Sequence, residues 1–311
     1  MKIINFILFV FAFFCLASCS NKNEPVNPKA GNLSSVIESD PELLVNGQWV
    51  EFEIEDTTTP TPGYASKEVF WYVDDKFQLA DFYSQEGNEY KVKTRLNTTS
   101  DEVKVKVEIV YNYTSGEVKV YKEQIFPLIQ PDIHQFLWGS LKDLVEDNIA
   151  LAPVETDTSL FYPQIKSEYW LVTGSSSVIA LYEFDADEKL IKLTEALSEV
   201  LNKESDNSYE KVTIRYVNAY EQLSRSFGMN PTVVSWLQQP TEEQLSAMAE
   251  FLDKRQSSSK ETKVIIGKAL VNNQLWFEAK SKDSTNTHVR LTSGAGNSGS
   301  VDFMMIFTPK N

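Results

Sequence analysis

Between Leu33 and Leu128 apolar and polar residues alternate with a period of two. Val50, Phe52 and Ile54 alternate with Glu51, Glu53 and Glu55; Val69, Trp71 and Val73 with Phe70 and Tyr72; Val103, Val105, Val107 and Ile109 with Lys104, Lys106 and Glu108. Successive side chains of a strand point to opposite faces, so these runs predict half-buried strands. Turn-forming residues separate them, at Asn46-Gly47, from Thr57 to Gly63, and at Asp74-Asp75, Glu86-Gly87-Asn88 and Ser115-Gly116. No helical pattern of useful length interrupts the series. Residues 33–128 are therefore expected to form a β-sandwich of about seven short strands.

Pro127 and Pro131 bracket a break, after which the pattern changes. Ser140 and Asp143 have capping-box spacing, and Leu141, Leu144 and Val145 share a helical face, so a short helix is expected to open at Ser140. Strand-like runs follow at Leu160 to Ile165, Glu168 to Val172 and Val178 to Phe184. Leu193, Leu197, Val200 and Leu201 make one helical stripe. Tyr216, Tyr220, Leu223 and Phe227 make another, with Gly228 placed to end it. Thr241 and Gln244 form a capping box ahead of Leu245, Met248, Phe251 and Leu252. A β-meander is expected to close the chain, with strands near Lys263 to Val271, Gln274 to Lys280, Thr287 to Thr292 and Ser300 to Thr308. Helices followed by antiparallel strands predict, over 131–311, an α+β domain with helices packed on an antiparallel sheet.

The N-terminus carries the most specific signal. Lys2 supplies a positive charge, and Ile3 to Phe14 is apolar save for Asn5, a run too short to span a bilayer that ends in small residues. This is the pattern of a signal peptide. Its ending, Leu16-Ala17-Ser18-Cys19, resembles the lipobox of bacterial lipoproteins. That resemblance implies a signal peptide over 1–18, cleavage before Cys19, and acylation of Cys19 at its sulfur and its amine. Each buried methylene contributes about 0.8 kcal/mol, so several chains anchor firmly. Cys15 leaves with the signal, and no disulfide is expected. Residues 19–32, polar and with two prolines in SNKNEPVNPKAG, read as a tether. Ser20 follows the cysteine where an Asp would imply the inner membrane, so the resemblance implies the outer membrane. Tether and composition resemble Bacteroidetes-type lipoproteins. Lys22 and Glu24 stand where surface-exported members carry an acidic run, which leaves both the cell surface and a periplasm-facing position open.

The stretch VFWYVDDKF, with Trp71 in mid-strand before a tight turn, resembles immunoglobulin and PKD-type domains. Such domains are spacers or binding modules. If Val69, Trp71 and Val73 point inward, Phe70 and Tyr72 point out, and Trp49 points out opposite Val50. Rigid amphipathic rings suit stacking on sugars or on a protein partner, which makes Trp49, Phe70 and Tyr72 the candidate ligand-binding residues. Packing against neighbouring strands is the plainer role for them. Lys104, Lys106, Lys119 and Lys122 read as solvated strand positions. The piece from Phe136 to Val145 resembles a "WG-S-K-x-x-V" helix entrance in Bacteroidetes lipoproteins, and more loosely the helix starts of small envelope-assembly lipoproteins and β-lactamase-inhibitor-like folds. Tyr220 to Gly228, Trp276 and the strand Thr287 to Leu291 leave room for a second, related copy of that unit.

Composition narrows the function classes. The chain has 311 residues, 42% hydrophobic and 23% charged, which is globular. Lys plus Arg number 29 against 44 Asp plus Glu, a net charge of −15, and nucleic acid is excluded as a partner because phosphates need a basic footprint. Two cysteines and two histidines exclude a Cys/His zinc cluster. Gly294-Ala295-Gly296-Asn297-Ser298-Gly299 has dinucleotide-binding spacing, but a strand is expected after it where the phosphate site needs a helix, so it reads as a hairpin loop. His134 and His288 read as ordinary polar positions. Asp185-Ala186-Asp187-Glu188 lacks the Gly and distal Glu of a calcium loop and reads as a solvated turn. No catalytic residue, metal or cofactor is expected. The expectation is a lipid-anchored, non-catalytic binding protein of the cell envelope that captures a glycan or host ligand. A periplasm-facing assembly or inhibitor protein is the alternative. A glycan hydrolase built on two carboxylates is a third reading, because such an enzyme needs only two well-spaced acids.

Overall fold

The computed structural model describes residues 31–310, except 34, 59–61, 79–82, 87, 168, 171–177, 202–204, 283–285 and 297–299. The expected signal peptide, Cys19 and most of the expected tether lie outside the described residues. Among the described residues the chain is mostly β-sheet, with three sheets and four α-helices. It divides into two compact units, Met1–Ile129 and Gln130–Asn311.

The first unit contains β1 (Gly31–Asn32), β2 (Glu38–Asp40), β3 (Leu44–Val45), β4 (Trp49–Glu55), β5 (Tyr64–Val73), β6 (Lys76–Phe77), β7 (Tyr83–Glu86), β8 (Glu89–Arg95), β9 (Glu102–Tyr113) and β10 (Gly116–Ile129). One sheet runs β1-β10-β9-β5-β6 with β3 also on β10; the other runs β2-β4-β8-β7. Their inner faces share one core. Val50, Phe52 and Ile54 are buried with Trp71, Tyr90, Val92, Val103, Val105, Val107 and Ile109, as the period-two pattern predicts. The Phe52 and Phe126 rings meet across it at 5.2 Å. The four-stranded order has the A-B-E-D succession of an immunoglobulin sandwich, and β10-β9-β5 has the facing G-F-C succession.

A buried charge closes one end of this sandwich. Asp56, just past β4, has a fully buried side chain that accepts from Tyr111 Oη at 2.7 Å, Thr58 N at 2.9 Å and Lys67 Nζ at 3.0 Å. Burial pushes the Asp56 carboxyl up, but the hydrogen bonds from Tyr111, Lys67 and Thr58 outweigh it and hold the group below its ordinary value. Burial likewise works to lower the Lys67 ammonium, and Tyr90 and Asp56 reverse that and raise it.

The second unit contains α1 (Lys142–Asn148), β11 (Val154–Thr156), β12 (Ser159–Ile165), β13 (Val178–Phe184), β14 (Leu190–Val200), α2 (Asp206–Phe227), β15 (Val233–Trp236), α3 (Glu242–Lys254), α4 (Lys260–Val271), β16 (Leu275–Lys280), β17 (Thr287–Ala295) and β18 (Ser300–Pro309). One antiparallel sheet runs β11-β12-β13-β14-β18-β17-β16-β15. The helices pack on it through aromatic rings: Tyr216 of α2 lies 4.7 Å from Phe277, Phe251 of α3 stacks on Phe277 at 5.5 Å, and Phe227 of α2 lies 5.8 Å from Phe307. The capping box of Thr241 and Gln244 forms at the start of α3, and Gly228 ends α2 at φ 62.

Four local expectations are corrected. The stripe of Leu193, Leu197, Val200 and Leu201 is not a helix: residues 190–200 are strand β14, bonded to β13 and β18. Its covered side carries Leu193, Glu195 and Leu197. The acid between two leucines interrupts the period-two signal and leaves a spurious spacing of four. Residues 263–271 are not a strand but lie in α4. Ser259 caps this helix by accepting from Thr262 N at 3.1 Å, and burial on nearly every side hides its period. Ser140 does not cap α1. Before the helix starts, Gly139 to Lys142 bond to Glu188 and Leu190 in strand fashion, so Leu141 precedes it without a side-chain cap. Leu141 is 55% exposed, and Lys142 is buried in its stead, reaching Glu155 at 2.6 Å and the Thr156 carbonyl at 2.8 Å. In the expected strand over 168–172, Tyr169 and Trp170 are not in strand conformation, and 168, 171 and 172 lie outside the described residues.

Two predictions follow the packing. Asp56→Asn should destabilise the first unit by about 1–3 kcal/mol in urea titrations, since it leaves buried donors mismatched. The folded carboxyl is depressed, so its stabilisation is present above the unfolded-state value and lost as pH falls through the folded one. Wild type should therefore lose more stability than the variant on acidification below about pH 4. Gly267→Ala should destabilise the second unit by about 1–3 kcal/mol, read as a lower urea midpoint. A Cβ at Gly267 of α4 would collide with the Tyr209 carbonyl of α2, and backbone cannot swing aside as a flexible side chain would.

Candidate functional site

The tight hairpin between β5 and β6 builds a partly exposed group of rings. Asp74 and Asp75 adopt φ 48 and 62, the left-handed pair of a type I′ turn, and Asp74 Oδ1 accepts from Lys104 N at 3.0 Å. The two-residue turn sets Phe77 directly opposite Tyr72. On the outer face of this sheet Tyr72 and Phe77 meet edge-on at 5.9 Å, and Phe70 packs tilted on Phe77 at 6.2 Å. Two strands over, Tyr121 of β10 faces the same way. Lys106 of β9 stands between, its Nζ 5.2 Å from the Tyr72 ring centre and 5.8 Å from that of Tyr121. Glu108 pairs with Lys106 at 3.4 Å and with Lys119 at 3.5 Å. Phe77 is 50% exposed, Tyr121 46% and nearby Ile125 57%, while Phe70 and Tyr72 are half-buried.

The candidates from sequence thus separate. Phe70 and Tyr72 share this platform. Trp49 is half-buried on β4 of the other sheet, opposite Arg95 in register, so it belongs to the far side of the sandwich. Cys19 lies outside the described residues. Sequence reasoning missed Phe77, Lys106 and Tyr121. The signal for Phe77 was the Asp-Asp pair, whose two-residue turn fixes the register. For Tyr121 it was the inward Val118 and Val120 on either side of the neighbouring positions.

The platform offers flat apolar ring faces next to an ammonium and a carboxylate. Such a surface can stack on a sugar ring or a planar side chain and hydrogen-bond its polar edge. Among the described residues no three His, Cys, Asp or Glu side chains gather to hold a metal ion. Asp185 Oδ1 accepts from the Asp187 and Lys189 amides, both at 2.9 Å, in a tight turn between β13 and β14. The Gly-rich stretch joins β17 to β18, with 297–299 outside the described residues.

His288 is half-buried on β17. His134 departs from the expected ordinary polar position: its Nε2 lies 2.8 Å from Oε1 of the buried Glu195, whose Oε2 accepts from Ser167 Oγ at 2.6 Å. The serine proton is directed at the carboxylate, and the imidazole touches the other oxygen. The order Ser–Glu–His does not place a base on the hydroxyl, as a nucleophile would need.

No protein-family model matches the chain, and no curated protein matches it in sequence. Among solved structures it shows likeness to a chimeric titin Z1Z2-Z1Z2 tandem, at 11% identity over 52% of this chain and 92% of that chain, with a TM-score of 0.20. The titin domains Z1Z2 in complex with telethonin show 11% identity over 55% of this chain and 86% of that chain, with a TM-score of 0.21. Likeness at this level leaves the strand order of the first unit as the ground for its fold.

Proposed function

We propose that this chain is a lipid-anchored, non-catalytic binding protein of the bacterial outer membrane, in which an immunoglobulin-type sandwich precedes an α+β domain. In this reading the sandwich captures a glycan through the outer face bearing Phe70, Tyr72, Phe77 and Tyr121. The observation that carries it is the open row of rings with Lys106 between Tyr72 and Tyr121. Two strand spacings separate those tyrosines by about 10 Å, room for a short oligosaccharide to lie across both. Lys106, Lys119 and Glu108 supply hydrogen-bonding groups at the platform's edge. Anchoring rests on the Leu16-Ala17-Ser18-Cys19 sequence, with Cys19 as the acylated residue.

Binding to a glycan array, followed by titration of the best ligand, tests the site. Tyr72→Ala and Tyr121→Ala should each weaken binding about tenfold, or about 1.4 kcal/mol. Trp49→Ala, on the other sheet, should leave it unchanged. Unaltered affinity in both tyrosine variants would remove the platform from the binding site. Retention of a protein but no glycan would reassign the ligand. Anchoring is tested separately: Cys19→Ser should abolish incorporation of labelled palmitate and release the protein from the membrane fraction.

A further inference from the structure

Glu195 projects from the covered side of β14, and its side chain is fully shielded from water. In register its neighbours on β13 and β18 are Ala180 and Met305, so the sheet offers the carboxylate no partner. Two segments outside the sheet serve it. From one, Ser167 Oγ donates to Oε2 at 2.6 Å and itself accepts from the Tyr169 amide at 3.2 Å. From the other, His134 brings Nε2 to 2.8 Å from Oε1, its side chain 13% exposed. The Tyr169 ring stands edge-on to the imidazole at 5.2 Å and packs on Phe227 of α2 and Phe307 of β18.

Two carboxylates on the same segments are engaged elsewhere. Asp132, in the His134 segment, accepts from the Trp138 amide at 3.0 Å. Glu199, four residues along the same side of β14, pairs with Arg215 of α2 at 3.2 Å. Tyr169 is a titratable group in contact with the imidazole. An ionised carboxylate in such surroundings is strongly disfavoured without a counter-charge. Histidine is the side chain whose charge changes between about pH 5 and 8.

We propose that Glu195 and His134 form a proton-operated latch holding residues 130–139, Ser167 and Tyr169 over the sheet. With His134 protonated the two charges compensate each other in the interior. Its deprotonation leaves the carboxylate buried without a counter-ion and loosens both segments. The sign follows from the partner: His134 gains Glu195 only in the folded state, so the stabilisation is complete at the acidic end of the histidine range. It is lost as pH rises through the imidazole's titration.

Hydrogen exchange on the full chain, corrected for intrinsic rates, tests the latch at the amides of Ile133, Phe136, Trp138 and Tyr169. In wild type their opening should increase with pH by up to about tenfold per unit across the histidine range, since opening releases one proton. Glu195→Gln and His134→Gln should each flatten that slope. Because the chain has two histidines, imidazole signals can be followed directly by NMR in wild type, where His134 should titrate above the ordinary histidine value of about 6.5. This measurement decides the matter even if a variant fails to fold. A flat wild-type profile, a slope that survives in Glu195→Gln, or a His134 signal titrating at or below the ordinary histidine value would overturn the latch.

Discussion

The antiparallel pairing of β14 with β18 is the constraint on which the second unit depends. It joins the last strand of the β11–β14 meander to the last strand of the chain, from Leu193↔Phe307 to Val200↔Ser300. Between them in sequence the chain leaves the sheet for α2, returns as β15, leaves again for α3 and α4, and comes back through β16 and β17. Helices are the economical way to do so, since they satisfy their own backbone while presenting one apolar stripe. Phe277 and Phe307 receive those stripes from α2 and α3. Close approach of α4 to α2 at Gly267 then removes the space a side chain would occupy. A long-range strand pair of this kind closes late and slowly in folding, because its loop entropy must be met before the contact forms.

Where each strand has one buried face, the sequence is readable. Val50, Phe52 and Ile54, and the run from Val103 to Ile109, alternate cleanly because their other faces meet water or charged neighbours. The pattern fails where burial departs from that rule. In β14 a charged residue occupies an inward position, which no periodicity of apolar residues can register. In α4 the opposite holds: Val264, Ile266, Gly267, Ala269, Leu270 and Val271 are all buried, so the helical period drowns in an apolar run broken only by Lys268, with β-branched residues at its start. At Ser140 the capping residues were present, but pairing of Gly139–Lys142 with Glu188 and Leu190 took the backbone first. Tertiary contacts overrode local propensity there.

The candidate site was legible in part for the same reason. Inward Trp71 and Val73 oblige Phe70 and Tyr72 to face out, and that inference needs one strand only. Bringing Phe77, Lys106 and Tyr121 beside them needs the register of three strand pairs. Of these, the β5–β6 register was written in Asp74-Asp75, and the others emerge from the packed sandwich. Trp49 was excluded from the platform by sheet membership, a property of topology that no single strand carries.

An interior carboxylate poses a sharper question than an exposed ring. A leucine in place of Glu195 would continue the Leu193–Leu197 stripe, and replacing buried ionic groups by apolar ones of like volume is often neutral or stabilising. The acid is therefore poorly explained as a source of sheet stability. What it does supply is direction. Ser167 and His134 arrive from separate segments, and each must present a polar atom within 2.8 Å of one particular oxygen. An apolar contact tolerates sliding, whereas the Ser167 hydrogen bond and the His134 ion pair, on opposite oxygens, tie both segments to the carboxylate. His134 takes a left-handed φ of 51 to reach that position, a conformation uncommon for a residue with a side chain. Loss of the carboxylate would free the segments to repack over β14 and β18, and the aromatic seam of Tyr169, Phe227 and Phe307 would lose its fixed edge.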